Sequence, residues 1–148
     1  MNRLSVGVEG TTKATRDQVW ALVANANEYP KWGPWSAGGY DPPAPGPAVV
    51  GMKQWFQYGR TKSIEQILEI DDRRRVVYMV IGGIPVKNYR AEIVLEDAER
   101  GTEAPGTHVS WSATWDRTLL GRIVERKLRV IYPEIIGSLV AAADRTAH

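Results

Sequence analysis

The main change in the pattern of apolar and polar positions along the chain comes at Thr118. Before that residue, apolar side chains recur at every second position in several short runs, a spacing typical of half-buried strands. The clearest run places Val109, Trp111, Ala113 and Trp115 on one face. From these runs we expect an antiparallel sheet of about six or seven strands.

The phase of each run predicts which side chains point into the core. Residues 75–81 are almost wholly apolar, which indicates a buried central strand. Turns are expected at 71–74 and 82–85, and a hairpin loop at 100–106. In the other runs the alternation groups residues on one strand face. The groups are Leu4, Val6 and Val8; Met52, Gln54, Phe56 and Tyr58; Ile64, Leu68 and Ile70; and Tyr89, Ala91, Ile93 and Leu95, the last of which we expect to point inward.

A short helix is predicted after the first strand. Thr15 offers an N-cap, and Gln18 three residues later completes a capping box. We expect this helix to end near Asn25 and Tyr29-Pro30 to form an extended turn, because the residue before a proline avoids the helical region. Gly and Pro are frequent in residues 33–51, which predicts a loop framing one short strand.

A long helix is predicted from Thr118 onward, because the apolar period lengthens to three or four residues there. Pro133 interrupts this stripe and has no N–H to donate to the carbonyl of Arg129, so we expect a bend or a break. The stripe consists of Leu120, Val124, Leu128, Ile131, Ile135 and Leu139.

The order of elements indicates one domain over residues 1–148, since no second boundary interrupts it. We predict an α+β fold, in which a curved antiparallel sheet wraps around the long C-terminal helix.

Composition and charge narrow the functional classes. Hydrophobic residues make up 43% of the chain and charged residues 24%, as in ordinary globular proteins. A net charge of +2 is small for a nucleic-acid-binding protein, so no nucleic-acid partner is expected. The first residues lack the apolar segment of a signal peptide, and no apolar run would span a membrane. We therefore expect a cytoplasmic protein, and the oligomeric state is left open.

The sequence contains no recognisable metal-binding or cofactor-binding motif. The chain has no cysteine, and its two histidines are His108, on the outward phase of a strand, and His148. Neither lies in a ligand-spacing motif, and the pairs 38–39 and 82–83 complete no glycine-rich phosphate loop. We expect no metal and no cofactor.

Basic residues cluster on the long helix at Arg122, Arg126 and Arg129, with Lys127 beside them. Glu125 is spaced to pair with Arg129. We interpret these residues as a solvated helix face; a patch for nucleic acid or acidic lipid is the alternative.

Aromatic side chains supply the candidate binding site. The chain has six Trp and six Tyr against one Phe, and such amphipathic rings suit half-wet cavities. Ala113 lies between two indoles on one strand face and would leave room for a ligand. Core filling is the competing interpretation for each residue. The candidate ligand-binding residues are Trp111, Trp115, Tyr89, Ala113, Trp32, Trp35, Tyr132 and Ile136.

Acid–base catalysis has weaker support. Arg60, Arg90, Glu65 and Asp116 are available by position, but their strand phases point mostly outward. We therefore assign no catalytic residue from the sequence.

Several local motifs resemble the helix-grip superfamily. They are the helix at 15–23, the following Tyr29-Pro30-Lys31-Trp32, the strand and turn at 69–78, and the helix around 128–143. This superfamily includes START lipid-transfer domains, birch-pollen-allergen-like proteins and bacterial polyketide cyclase/dehydrase-like proteins. A proline usually precedes the basic residues of the third motif, whereas Asp71-Asp72 stands here.

The resemblance implies three functions. The first is binding, with transport as an extension, of a small hydrophobic, ring-containing ligand in an internal cavity. The second is a polyketide cyclase or dehydratase that works without a metal in the same cavity. The third is a protein–protein regulatory module, co-chaperone-like or toxin-like. Whether the protein is an enzyme stays open at this point, because shared fold does not imply shared activity.

Overall fold

A seven-stranded antiparallel sheet and one long helix dominate the computed structural model, which describes residues 3–98 and 106–147. In chain order the elements are β1 (Arg3–Thr12), α1 (Arg16–Val23), a 3-10 turn (Ala26–Glu28), α2 (Tyr29–Trp32), β2 (Ala37–Tyr40), β3 (Lys53–Tyr58), β4 (Thr61–Asp71), β5 (Arg75–Gly82), β6 (Arg90–Asp97), β7 (Thr107–Asp116) and α3 (Leu119–Thr146). The predicted α+β helix-grip class is confirmed.

The strands form a meander in the spatial order β1-β7-β6-β5-β4-β3-β2. Ala113 of β7 lies opposite Val6 on one side and Ala91 on the other, so these inward positions share one face of the sheet. The predicted strand faces of β1, β3, β6 and β7 are confirmed, and each of these faces is the buried one. The loop expected at 100–106 lies outside the described residues except for Gly106.

The predicted phase of β4 is wrong at Ile64 and Leu68, whereas Ile70 packs against the core as its group required. Glu65 and Ile67 are buried, whereas Ile64 and Leu68 are only partly covered. Register shifts between Ile64 and Glu65 and between Ile67 and Glu69 interrupt the regular pairing with β5. Such irregularities change which residues face inward along a single strand, and a simple alternation of apolar positions does not reveal them.

The first helix begins as predicted, whereas the segment after it differs from the prediction. Thr15 Oγ1 accepts a hydrogen bond from Gln18 N, and the Gln18 side chain bonds back to Thr15 N, which completes the capping box. Tyr29-Pro30 opens α2 instead of an extended turn. A proline in the first turn of a helix needs no donor N–H, and its fixed φ already suits the helix.

The long helix α3 starts after Thr118, whose hydroxyl accepts from Gly121 N at 2.8 Å. It continues without interruption through Pro133, so the predicted break is wrong, and the bend stays a prediction. Pro133 and Arg129 are both exposed, which lets water hydrate the carbonyl that loses its partner. Leu120, placed inward by the apolar stripe, is exposed as well.

The C-terminal half of α3 packs closely on β1. A Cβ added to Gly10 would lie 2.8 Å from Val140 Cγ2 and 3.1 Å from Ile136 Cγ1, so only glycine allows this approach of helix and strand. Thr12 Oγ1 donates to Asp144 Oδ1 at 2.6 Å in the same region. The helix is thereby fastened to one edge of the sheet.

Replacing Pro133 by alanine should stabilise the fold. Proline in a helix interior lowers stability by about 3 kcal/mol relative to alanine. Proline also stiffens the unfolded chain, and losing this effect lowers the stability of the variant by up to about 1 kcal/mol. We expect Pro133→Ala to raise the free energy of unfolding in urea by roughly 1–2 kcal/mol. The loop variant Pro47→Ala is the control and should be neutral or slightly destabilising, and equal stability of the two variants would contradict the prediction.

Candidate functional site

A cavity of about 690 Å³ lies between the concave face of the sheet and the N-terminal half of α3. Such concave, mostly apolar spaces with a few polar groups are the usual sites for small molecules. Its walls come from the segment after α1, the β3–β4 hairpin, β5, the segment before β6, β7 and α3. The lining residues are Tyr29, Trp35, Phe56, Tyr58, Gly59, Arg60, Thr61, Ser63, Glu65, Tyr78, Ile84, Pro85, Tyr89, Trp111, Leu120, Ile123, Val124, Arg126, Lys127, Leu128, Val130, Ile131, Tyr132 and Ile135.

An aromatic cluster forms one end of the cavity. Tyr29 stacks on Phe56 with ring centroids 4.5 Å apart and planes 13° from parallel. The ring centroids of Trp35 and Tyr29 are 5.0 Å apart, and those of Trp111 and Tyr29 are 6.0 Å apart in an edge-to-face arrangement. Aromatic pairs in these geometries hold one another in place, so this end of the cavity presents flat, pre-arranged apolar surfaces.

Three buried tyrosines form a polar strip across the cavity. The hydroxyls of Tyr89 and Tyr132 are hydrogen-bonded to each other, and Trp111 Nε1 donates to Tyr78 Oη at 3.0 Å. Burial raises the pKa of Tyr78, Tyr89 and Tyr132 well above the usual value. These phenols therefore stay protonated at neutral pH and can donate hydrogen bonds to a ligand.

Glu65 is the charged group that the fold buries in this cavity. It is 7% exposed, and its carboxylate accepts from Gln54 Nε2 at 2.8 Å and from Ser63 Oγ at 3.3 Å. Burial raises the pKa of Glu65 to about 7, although the two hydrogen bonds lower it. Near neutral pH this carboxyl group is present in both its protonated and ionised forms.

The chemistry open to Glu65 follows from that pKa. A carboxyl group that titrates near pH 7 can take or give a proton at physiological pH, or bind a ligand donor. Its negative charge also raises the pKa of Tyr29, Tyr78, Tyr89 and Tyr132, so the five groups share one electrostatic environment. The competing interpretation is a buried side chain satisfied by Gln54, its partner across the strand pair.

The sequence contained a signal for Glu65 that strand phase alone overlooked. Tyr58 pairs with Thr61 around the tight turn at Gly59-Arg60, and this register sets Gln54 opposite Glu65. Directly opposed residues in an antiparallel pair point to the same face. Because Gln54 shares a strand face with the apolar Met52 and Phe56, a tight turn at Gly59-Arg60 places Glu65 on the face of these apolar residues.

The eight predicted site residues separate into two groups. Trp111, Tyr89, Trp35 and Tyr132 line the cavity. The other four, Trp115, Trp32, Ala113 and Ile136, are buried outside its lining. Trp115 donates to Gly121 O at 3.0 Å and stacks on Tyr89, and Trp32 donates to Leu22 O at 3.0 Å. Ala113 lies on β7 between β1 and β6, and Ile136 packs so close to Gly10 that an added Cβ would lie 3.1 Å from its Cγ1.

The remaining candidate residues lie at the mouth or outside. Arg60 lines the cavity at its exposed rim. Arg90 bonds Glu69, and Asp116 pairs with Arg3 at 2.6 Å on the outer side. Within residues 3–98 and 106–147, no group of three or more metal-ligating side chains is gathered in one place, and no helix is long and apolar enough to span a membrane.

Comparison with solved structures identifies similar folds over the whole chain. The protein XoxI from Bacillus cereus is 21% identical with a TM-score of 0.73, covering 100% of this chain and 99% of that one. A Nitrosospira multiformis protein is 17% identical with a TM-score of 0.75, covering 95% and 96%. A Thermobifida fusca protein is 26% identical with a TM-score of 0.71, covering 100% and 97%.

No curated protein matches this sequence significantly. A family model does match, over residues 3–144, and its description is polyketide cyclase/dehydrase and lipid transport. The match spans nearly the whole chain and agrees with the helix-grip architecture and with a cavity enclosed by sheet and helix. The chain therefore belongs to the polyketide cyclase/dehydrase and lipid transport family.

Proposed function

We propose that the protein binds a small hydrophobic, ring-containing molecule in the cavity between the sheet and α3. The observation that carries the proposal is a space of about 690 Å³ lined at one end by the rings of Tyr29, Trp35, Phe56 and Trp111. A volume of this size suits a ligand of a few fused rings. Stacking on a flat ligand adds roughly 0.5–1.5 kcal/mol per aromatic pair beyond burial.

The polar lining supports a ligand with one polar end. Glu65 lies in the same cavity as the hydroxyls of Tyr78, Tyr89 and Tyr132. Together they offer both hydrogen-bond donors and an acceptor, whereas at the aromatic end the Tyr29 hydroxyl already donates to Val23 O and Trp111 Nε1 to Tyr78 Oη. The ligand therefore places its rings on the aromatic cluster and a hydroxyl, carbonyl or amine near Glu65.

A protein–protein regulatory module is the less favoured interpretation. It would call for a filled core and for tryptophans grouped on the outer surface. All six tryptophans lie in described segments and none is exposed, and the core contains an open cavity. A small hydrophobic molecule is thus the partner we propose, and the cytoplasmic location stays a prediction.

Filling the cavity with a larger side chain should weaken ligand binding. Val124 lines the cavity from α3, so the ring in Val124→Phe would occupy space that the ligand needs. We expect affinity for hydrophobic dyes and polycyclic aromatic compounds to fall by about tenfold or more, since the lost contacts are worth well over 1 kcal/mol. Fluorescence titration of the purified variants measures the effect.

The matched control for Val124→Phe is Ala113→Leu, at a buried position outside the cavity lining. Overpacking there should cost about 1–3 kcal/mol of stability and leave ligand affinity unchanged. Equal binding by wild type and Val124→Phe would contradict the proposed site. Native mass spectrometry of the protein from its own host identifies the molecule that it carries.

Glu65 favours a second candidate function, cyclisation or dehydration of a polyketone. In its ionised form the carboxylate accepts a proton from a carbon next to a carbonyl, and that carbon attacks a second carbonyl of the same chain. A tyrosine hydroxyl then donates a hydrogen bond to the oxygen on which negative charge develops. The buried carboxyl with its pKa of about 7 is the observation that supports this reaction.

The catalytic candidate predicts a specific loss of turnover. With a linear poly-β-ketone as probe, Glu65→Gln should lower kcat about 100-fold or more, as expected for removal of a general base. The wild-type rate should rise with pH through about 7, where Glu65 ionises. Glu69→Gln on the exposed face is the control. Turnover that survives in Glu65→Gln would exclude this role and leave ligand binding in place.

Glu65 should also make stability depend on pH. Because burial raises its pKa from 4.5 to about 7, the folded state binds this proton more tightly than the unfolded state. Its favourable contribution is complete below pH 4.5 and is lost as the pH rises through about 7, a change of roughly 3 kcal/mol. Urea unfolding across this range should show a decline for wild type that is much smaller for Glu65→Gln. Identical pH profiles would contradict the burial of an ionising Glu65.

A further inference from the structure

The N-terminal half of α3 carries two sets of apolar side chains, one buried and one exposed. Val124, Leu128 and Tyr132 point into the cavity and are buried. Leu119, Ile123 and Val130, in contrast, are 78%, 50% and 69% exposed. Their spacing of four and seven residues places them in one row along the helix. A helix that packs against a single sheet needs only one apolar face, so the packing of the fold does not explain the second.

Cations border this outer row. Arg122, Arg126, Lys127 and Arg129 are all exposed. Both acidic residues of this stretch are engaged, since Glu125 accepts from Arg129 at 3.0 Å and Glu134 accepts from Tyr58 at 2.9 Å. Among the described residues, Arg122, Arg126 and Lys127 form no ion pair. The outer face therefore combines exposed aliphatic side chains with uncompensated positive charge.

The same face surrounds the mouth of the cavity. Leu120, Ile123, Arg126, Lys127 and Val130 belong to the cavity lining and are exposed. Exposed apolar side chains in a contiguous group usually mark an interaction surface. We call this group the portal surface, and it consists of Leu119, Leu120, Ile123 and Val130 with Arg122, Arg126 and Lys127.

We propose that the portal surface docks on the anionic face of a lipid bilayer, with the N-terminal half of α3 lying in the membrane plane. The aliphatic row enters the boundary between headgroups and acyl chains, and the flanking cations contact acidic headgroups. The cavity mouth then opens toward the apolar layer, so a hydrophobic ligand passes between bilayer and cavity without crossing water. Docking itself does not depend on the identity of that ligand.

A bilayer fits the portal surface better than a protein partner does. Protein interfaces concentrate binding energy in Trp, Tyr and Arg anchors seated in pockets. The apolar members of the portal surface are all Leu, Ile or Val, and they form an exposed row instead of a pocketed anchor. Aliphatic residues flanked by Lys and Arg are the arrangement of helices that lie on anionic membranes.

Vesicle sedimentation tests the docking. Wild-type protein should bind vesicles of phosphatidylcholine with phosphatidylglycerol about tenfold more strongly than vesicles of phosphatidylcholine alone. Raising the salt concentration from about 0.1 M to about 1 M should remove most of this preference by screening. Ile123→Asp/Val130→Asp should weaken binding to the mixed vesicles by about tenfold or more. All substituted residues are exposed, and circular dichroism checks that the variants fold.

Two matched controls separate the portal surface from general effects. Val49→Asp/Val50→Asp changes two similarly exposed apolar residues elsewhere and should bind like wild type. Arg126→Glu/Lys127→Glu should lose binding about tenfold, whereas Arg74→Glu/Arg145→Glu makes the same change in net charge at other exposed positions and should lose far less.

Three results would overturn the proposal. The first is no binding of wild type to anionic vesicles, and the second is equal loss in the portal and control variants. The third is a wild-type dimer in sedimentation velocity that Ile123→Asp/Val130→Asp dissolves, with no vesicle binding; the portal surface would then join two copies of the chain. Binding of a hydrophobic dye is measured in parallel in detergent-free buffer, so failure of docking is distinguished from failure of the cavity to bind.

Discussion

The long helix is held to the sheet near both of its ends, and the space between these two attachments is the cavity. At the C-terminal end Thr12 and Lys13 bind Asp144, and Gly10 lets Ile136 and Val140 approach the strand. At the N-terminal end Trp115 donates to Gly121 O, and a Cβ on Gly121 would lie 2.8 Å from Asp116 O. Close packing at the ends therefore leaves the middle of the helix free to cover an unfilled concave surface.

That unfilled surface contains a group that lowers stability at neutral pH. Glu65 is buried among apolar and aromatic side chains, and Gln54 and Ser63 compensate only part of the cost of ionising it. Local features that oppose stability are typical of sites used for binding or chemistry. The hydroxyl groups of Tyr78, Tyr89 and Tyr132 and this carboxyl group thus give the cavity a partly polar lining.

Exposed residues of α3 border the mouth of the cavity. Ile123 and Val130 are exposed beside Arg126 and Lys127 at the mouth of the same space, and Leu119 continues the exposed row. A ligand that prefers an apolar environment would leave or enter the protein at this point. Binding inside and docking outside would therefore use the buried and the exposed apolar side chains of one helix, which accounts for the presence of both sets.

The sequence alone determined the local elements, because strand alternation, the Thr15 capping box and the helical period after Thr118 depend on near neighbours. The register through Gly59-Arg60 was also readable and would have placed Glu65 inward, although apolar phase alone did not. Only the tertiary structure decided that Trp111 borders the cavity while Trp115, on the same strand face, does not. The reason is that the Gly121 backbone lies against Trp115, and a contact between distant elements leaves no local pattern in the sequence.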